Sequence, residues 1–189
     1  MYTKFISDPN TYLIFLKFDE DLALECWTQP CSHCGGKLNQ AHYLRKPRGG
    51  PLAPEAAKRF SFCCREFDCR RRQLAPSIRF LGRRVYLSVF VTLITAMSQG
   101  ITASRAARLY KEIGVSAKTL QRWRRWWRGH VPATVFWKES RGRFINPIDP
   151  SSLPNSLVDF FAAIDSDVEI MVIKVLKFIM PLGQRDLGN

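Results

Sequence analysis

The chain has 189 residues, 46% of them hydrophobic, and its 29 Lys and Arg stand against 16 Asp and Glu for a formal net charge of +13. That apolar content excludes wholesale disorder, and the longest apolar run, the 13 residues Val85–Met97, falls short of the roughly 20 a membrane-spanning helix needs. The charge is concentrated: residues 37–143 carry net +19 between ends of −3 each, which points to a polyanionic partner, most often nucleic acid.

Residues 1–25 form an N-terminal segment with no basic start followed by an apolar run, so no secretory leader is expected and the chain reads as cytoplasmic. In that reducing compartment, clustered cysteines more often hold metal or do catalysis than pair as disulfides.

A zinc ribbon is expected over residues 26–75. Cys31-Ser-His-Cys34-Gly-Gly is a C-x2-C knuckle whose glycines permit the tight turn that aims two thiolates at one ion. The second half is Cys64-x4-Cys69. Two such pairs separated by one hairpin's length of chain give a four-thiolate tetrahedral Zn2+ site of Cys31, Cys34, Cys64 and Cys69. Cys63 is the alternative third ligand. Cys64 is preferred because it shares a face of an extended segment with Phe60 and Phe62, aromatics that would cover the metal. His33 and His42 read as solvated, and Cys26 as a small buried hydrophobe. Glycines after the first pair and the lack of a βαβ pattern argue against a redox motif, and four thiolates would close the coordination sphere to catalysis. The hairpin between the knuckles carries Arg45, Lys46, Arg48, Lys58 and Arg59, a plausible clamp on backbone phosphates.

A helix-turn-helix domain is expected over residues 76–131. Pro76 and Gly82 punctuate a short linker containing Arg79, Arg83 and Arg84, and Val85–Met97 then forms a buried helix ending near Gly100. Thr102 caps a helix with Ala106, Ala107, Leu109, Tyr110 and Ile113 at helical spacing, and Gly114 stops it in a left-handed turn. Val115 plugs the corner, and Ser116 caps a second helix to about Arg128. Leu120, Trp123 and Trp127 give that helix an inward face. Its outward face offers Lys118, Thr119, Gln121, Arg122 and Arg125, types that read base edges and grip phosphates in the major groove. Arg70, Arg71, Arg72, Arg83 and Arg84 would follow phosphates between the zinc part and this helix. An ordinary helical hairpin with a solvated basic face is the plainer alternative.

Residues 132–189 read as an irregular Pro-rich connection, two helices at about Leu153–Ile164 and Val168–Phe178, and a tail. The second helix is apolar on more than one side, so it docks on the core or on a partner. The only carboxylate cluster, Asp149 to Glu169, lies in this helical end without the sheet scaffold of a two-metal nuclease, and no nucleophile motif or phosphate loop is present. An enzyme is therefore not expected. The fold class expected is mainly α with a small β zinc ribbon, followed by a helix-turn-helix bundle and C-terminal helices.

The order "CSHCGG", "FCCREFDCRRR", "RFLGRRVYLSVFV", "GVSAKTLQRWRRWW" resembles the small zinc-ribbon plus helix-turn-helix proteins of bacterial mobile elements, and is similar to the DNA-binding front end of insertion-sequence transposases over about residues 30–130. The resemblance implies a DNA-reading role for Lys118, Thr119 and Arg122 and a zinc role for Cys31, Cys34, Cys64 and Cys69. The chain lacks the catalytic acidic triad of a full transposase, so an accessory or targeting subunit beside a separate recombinase is expected. A transcriptional regulator, or an RNA-binding or protein-interaction zinc ribbon, are the rival functions.

Overall fold

In a computed structural model, which describes residues 2–82, 84–98, 102–104, 107, 110, 111 and 114–184, the chain is mainly helical with a small antiparallel sheet. Helices α1 (Tyr2–Ser7) and α2 (Pro9–Thr28) open the fold. Asp8 starts α2 by accepting the Asn10 N–H at 2.9 Å, and Pro9 follows in the first turn, where a missing N–H costs nothing. The boundary expected between residues 25 and 26 falls inside α2. Its buried residues Thr11, Tyr12, Phe15, Asp19 and Ala23 recur at about helical spacing on one face. An aspartate on that face is the pattern's exception.

The exception is resolved by Arg79. Its Nε lies 2.8 Å from Asp19 Oδ2, and both side chains are fully buried. Asp19 also accepts the Ser77 hydroxyl and the Ile78 N–H at 2.5 and 2.8 Å. The other guanidinium nitrogens of Arg79 donate to the carbonyls of Ala56 and Lys58. A buried ion pair is tolerable only when its remaining donors and acceptors are satisfied, as these are. Residues 76–82, expected as a short linker containing Arg79, are therefore largely core: Ile78, Arg79, Phe80 and Leu81 are all buried. The basic residue disguised a segment whose apolar neighbours pack inward.

The sheet has strand order β1 (Leu38–Gln40), β4 (Ser61–Cys64), β5 (Arg72–Leu74), all antiparallel, with Leu38 opposite Cys64 and Cys63 opposite Arg72. A second ladder pairs β2 (Tyr43–Leu44) with β3 (Lys58–Arg59). One small core, Ala23, Cys31, Leu38, Phe60, Phe62, Cys64 and Ala75, lies under the sheet. A larger core joins α1 and α2 to residues 78–96 and 115–182.

The apolar run around Val85–Met97 is helical from residue 88, π-helical over Phe90–Ile94 and α-helical in α3 (Thr95–Met97). Gly100 and most of the expected first helix of the helix-turn-helix lie outside the described residues. Ala103, Ser104, Ala107, Tyr110 and Lys111 are helical, and Gly114, at φ +71°, donates its N–H to the Tyr110 carbonyl at 2.8 Å. That is the expected glycine stop. Ser116 then caps α4 (Ala117–Arg125), accepting the Thr119 N–H at 3.2 Å. The helix runs on through a π segment, Trp126–His130, into α5 (Val131–Ala133).

The connection expected to be irregular is partly helical. Pro132 sits in the first turn of α5, and Thr134 caps α6 (Val135–Ser140) by accepting the Trp137 N–H at 3.2 Å. Proline at a helix start reads as a breaker in sequence but is compatible with the first turn. Phe136 and Trp137 are buried, so the boundary expected at 131/132 falls within packed structure. Helices α7 (Asn155–Ile164) and α8 (Val168–Ile179) follow close to their expected ranges. Met171, Val172, Val175, Leu176 and Ile179 of α8 are buried in the large core, which settles where that helix docks. Helix α9 (Pro181–Gln184) ends the described chain. No helix among the described residues is long and apolar enough to cross a membrane.

Candidate metal centre and nucleic-acid interface

Cys31 and Cys34 sit in the turn between α2 and β1, Cys64 ends β4, and Cys69 lies in the loop between β4 and β5. Their four sulfurs all lie within 4.8 Å of one another. Cys34 and Cys64 are 3.4 Å apart, and Cys31 and Cys69 3.9 Å. Four sulfurs about 2.3 Å from one tetrahedral ion stand roughly 3.8 Å apart, so the cluster has the size of a metal site.

The two halves are built alike. Cys31 N–H donates to the Gly36 carbonyl at 2.8 Å and Cys64 N–H to the Arg71 carbonyl at 2.9 Å, each acceptor standing two residues after the half's second cysteine. The residue between is left-handed in both: Gly35 at φ +75° and Arg70 at φ +45°. Glycine takes that conformation freely, whereas arginine is strained in it by about 1 kcal/mol. Gly36 is needed for another reason: a Cβ there would stand 3.2 Å from the Cys64 sulfur and closer still to the Glu66 side chain.

Backbone amides point at the sulfurs. The N–H groups of His33 and Cys34 pull the Cys31 thiol down to about 7. Burial pushes the Cys64 thiol up to about 12, against the Glu66 N–H that favours its thiolate. A cation among four thiols with amide donors already aimed at them replaces their protons, so this donor set fits a thiophilic metal.

Cys63 faces away, with its sulfur 3.3 Å from the Arg70 carbonyl and outside the cluster, while Phe62 and Cys64 are buried on the core side. Alternation along β4 decides between the two neighbours. Cys26, partly buried, is 3.7 Å from the Gln73 amide. His33 is exposed. His42, expected to be solvated, is half-buried between Phe60 and Phe62 and accepts the Ser61 N–H on Nδ1 at 3.2 Å. Gln73, which the sequence did not single out, ties β5 to the first knuckle by accepting the Ser32 N–H at 3.4 Å. No protein-family model matches this chain, and neither does any curated protein or solved structure.

On α4 and the π segment that continues it, Leu120, Trp123 and Trp127 are buried as expected, and Lys118, Gln121, Arg122 and Arg125 are exposed. Thr119, expected on the outward face, is 7% exposed. It lies at the edge of the buried stripe, one turn from Trp123, where its hydroxyl meets Ser116 Oγ at 3.0 Å and accepts from Arg122 at 3.2 Å. It orients Arg122 instead of facing outward itself.

Among the expected phosphate contacts, Arg70, Arg71 and Arg72 are exposed, and Arg72 also covers the Tyr43 ring. Arg84 is half-buried with its guanidinium 4.2 Å above the Trp126 ring. Arg83 lies outside the described residues. Two cations of the hairpin are structural: Arg45 donates to the carbonyls of Gly82 and Arg84, both at 2.8 Å, and Arg59 is buried. Lys46, Arg48 and Lys58 remain exposed. Spacing cannot separate these roles, because only the fold decides which cation meets a carbonyl.

Proposed function

We propose that this chain is a zinc-stabilised, sequence-specific double-stranded DNA-binding protein without catalytic activity, and that it serves as an accessory or targeting subunit of a bacterial transposition system. The observation that carries the DNA reading is the exposed quartet Lys118, Gln121, Arg122 and Arg125 on a helix capped by Ser116, two residues after the left-handed Gly114. Such a helix presents bidentate donors to base edges. Zn2+ suits four thiolates, and chain leaving its second knuckle runs directly into Arg70, Arg71 and Arg72. The transposition context comes from the resemblance of the knuckles and the "GVSAKTLQRW" turn to mobile-element proteins, and it calls for a separate recombinase as partner.

A stacking-based RNA reader is disfavoured, because Trp127 is fully buried and Arg84 covers Trp126. The test is selection of bound duplexes from a random pool. Arg122→Ala should cost about 1–3 kcal/mol and relax preference at one position, while Arg71→Ala should weaken all duplexes alike and lower the salt slope by about 1. Equal effects of both substitutions on every sequence would sink the assigned roles. Specific binding to an operator with no response to any recombinase would favour a transcriptional regulator.

A further inference from the structure

Beside the first knuckle lies a cavity of about 460 Å³. Its lining includes Ser32 and His33 of the knuckle together with Arg59, Arg71, Arg72 and Gln73. Three arginines therefore line it, and no carboxylate among the described residues does.

Arg59 is the unusual member. It is 4% exposed, its Nη2 donates to the Ala75 carbonyl at 2.7 Å, and its Nη1 is buried without a hydrogen-bond partner. A buried charged donor left unpaired is destabilising by more than a neutral one, so its retention calls for an acceptor. Asp19 is the nearby carboxylate whose field Arg59 feels, but Asp19 is already engaged by Ser77, Ile78 and Arg79. Among the described residues, no acceptor reaches Arg59 Nη1.

Size and chemistry narrow it. A volume of about 460 Å³ falls in the range of small-molecule sites and exceeds what a single halide fills. Planar guanidiniums match the paired oxygens of a phosphate, and a buried one holds it with least competition from water. We propose that this cavity is a phosphate-binding site, with Arg59 as its buried anchor and Arg71 and Arg72 as its outer arms, and that it takes a phosphate borne by a nucleotide. Attribution of that phosphate to bound DNA rests on the DNA-binding reading above. The cysteine cluster adjoins the site: Cys31 lines the cavity, and Arg71 and Arg72 follow Cys69 by two and three residues.

The test uses the full zinc-loaded chain. Inorganic phosphate, titrated at constant ionic strength against chloride, should bind saturably by calorimetry and raise the melting temperature. Arg59→Met should abolish both. If that variant does not fold, the double variant Arg71→Ala/Arg72→Ala, altered only at exposed positions, should weaken phosphate at least about tenfold with zinc content unchanged, while Lys46→Ala/Arg48→Ala should not. Absence of saturable phosphate binding, or equal loss in both double variants, overturns the site. A duplex arm identifies the source: a larger loss of DNA affinity in Arg71→Ala/Arg72→Ala than in Lys46→Ala/Arg48→Ala supports a strand phosphate, and equal losses overturn that attribution. If wild-type protein holds phosphate but no duplex, the DNA reading fails and the cavity stands.

Discussion

Trp127 Nε1 donates to the carbonyl of Val91 at 3.2 Å, from a side chain with no exposed surface. That carbonyl lies in the π-helical stretch Phe90–Ile94 and also accepts the Thr95 hydroxyl at 2.6 Å. The bond joins the helix carrying the basic face to the apolar helix behind it, and Trp123, edge-on to Tyr86 at 4.9 Å, adds a second contact. The orientation of Lys118, Gln121, Arg122 and Arg125 therefore depends on an indole buried about half a turn to two and a half turns further along the same helix.

Trp127→Phe keeps most of the volume and removes the donor, so it should cost about 1–2 kcal/mol; Trp127→Ala also opens a cavity and should cost about 3–5 kcal/mol. Urea unfolding followed by circular dichroism measures both. A loss from Trp127→Ala no larger than that from Trp127→Phe would show that the site is not packed as described.

The adjacent cysteines give a sharper contrast. Cys64→Ser removes a buried sulfur from the cluster, and on the zinc assignment proposed above, zinc content by elemental analysis should fall with loss of the fold around the sheet. Cys63→Ser changes a sulfur that faces the Arg70 carbonyl, and zinc should stay at the wild-type level. The reverse pattern would exchange their roles.

Arg70 stands at φ +45° where the first knuckle has Gly35. Arg70→Gly should therefore stabilise the zinc-loaded protein by about 1 kcal/mol, and Arg70→Val should destabilise it, because a β-branched residue tolerates the left-handed region least. Thermal melts at fixed zinc concentration decide the sign. On the DNA-binding reading proposed above, the glycine variant should bind duplex DNA more weakly than wild type, having lost a cation.

His42 provides the pH dependence. Burial holds its pKa below the ordinary 6.5. The unfolded chain then takes the proton first as pH falls, so the stability supplied by the neutral ring is complete above 6.5 and is lost as pH drops through the folded value. His42→Asn keeps an acceptor for the Ser61 N–H without titrating. Wild type should lose stability more steeply than this variant in mildly acid buffer, with zinc buffered equally in both. Parallel curves would remove His42 as the cause.

Local chemistry carried much of this protein in the sequence itself. The two cysteine pairs with their glycines, the choice of Cys64 over Cys63, the stop at Gly114, the cap at Ser116 and the inward stripe Leu120, Trp123 and Trp127 all follow from short-range rules of turns, caps and periodicity. Those rules act within a few residues, so they can be read one segment at a time. What tertiary structure alone decided was the fate of the cations. Arg79, Arg45 and Arg59 look in sequence like Lys46 or Arg72, yet the first meets Asp19, 60 positions away in the chain. The second meets the carbonyls of Gly82 and Arg84, and the third is buried and donates to the Ala75 carbonyl. Whether a guanidinium faces solvent or the interior depends on which distant carboxylates and carbonyls the fold brings to it, and no local pattern encodes that.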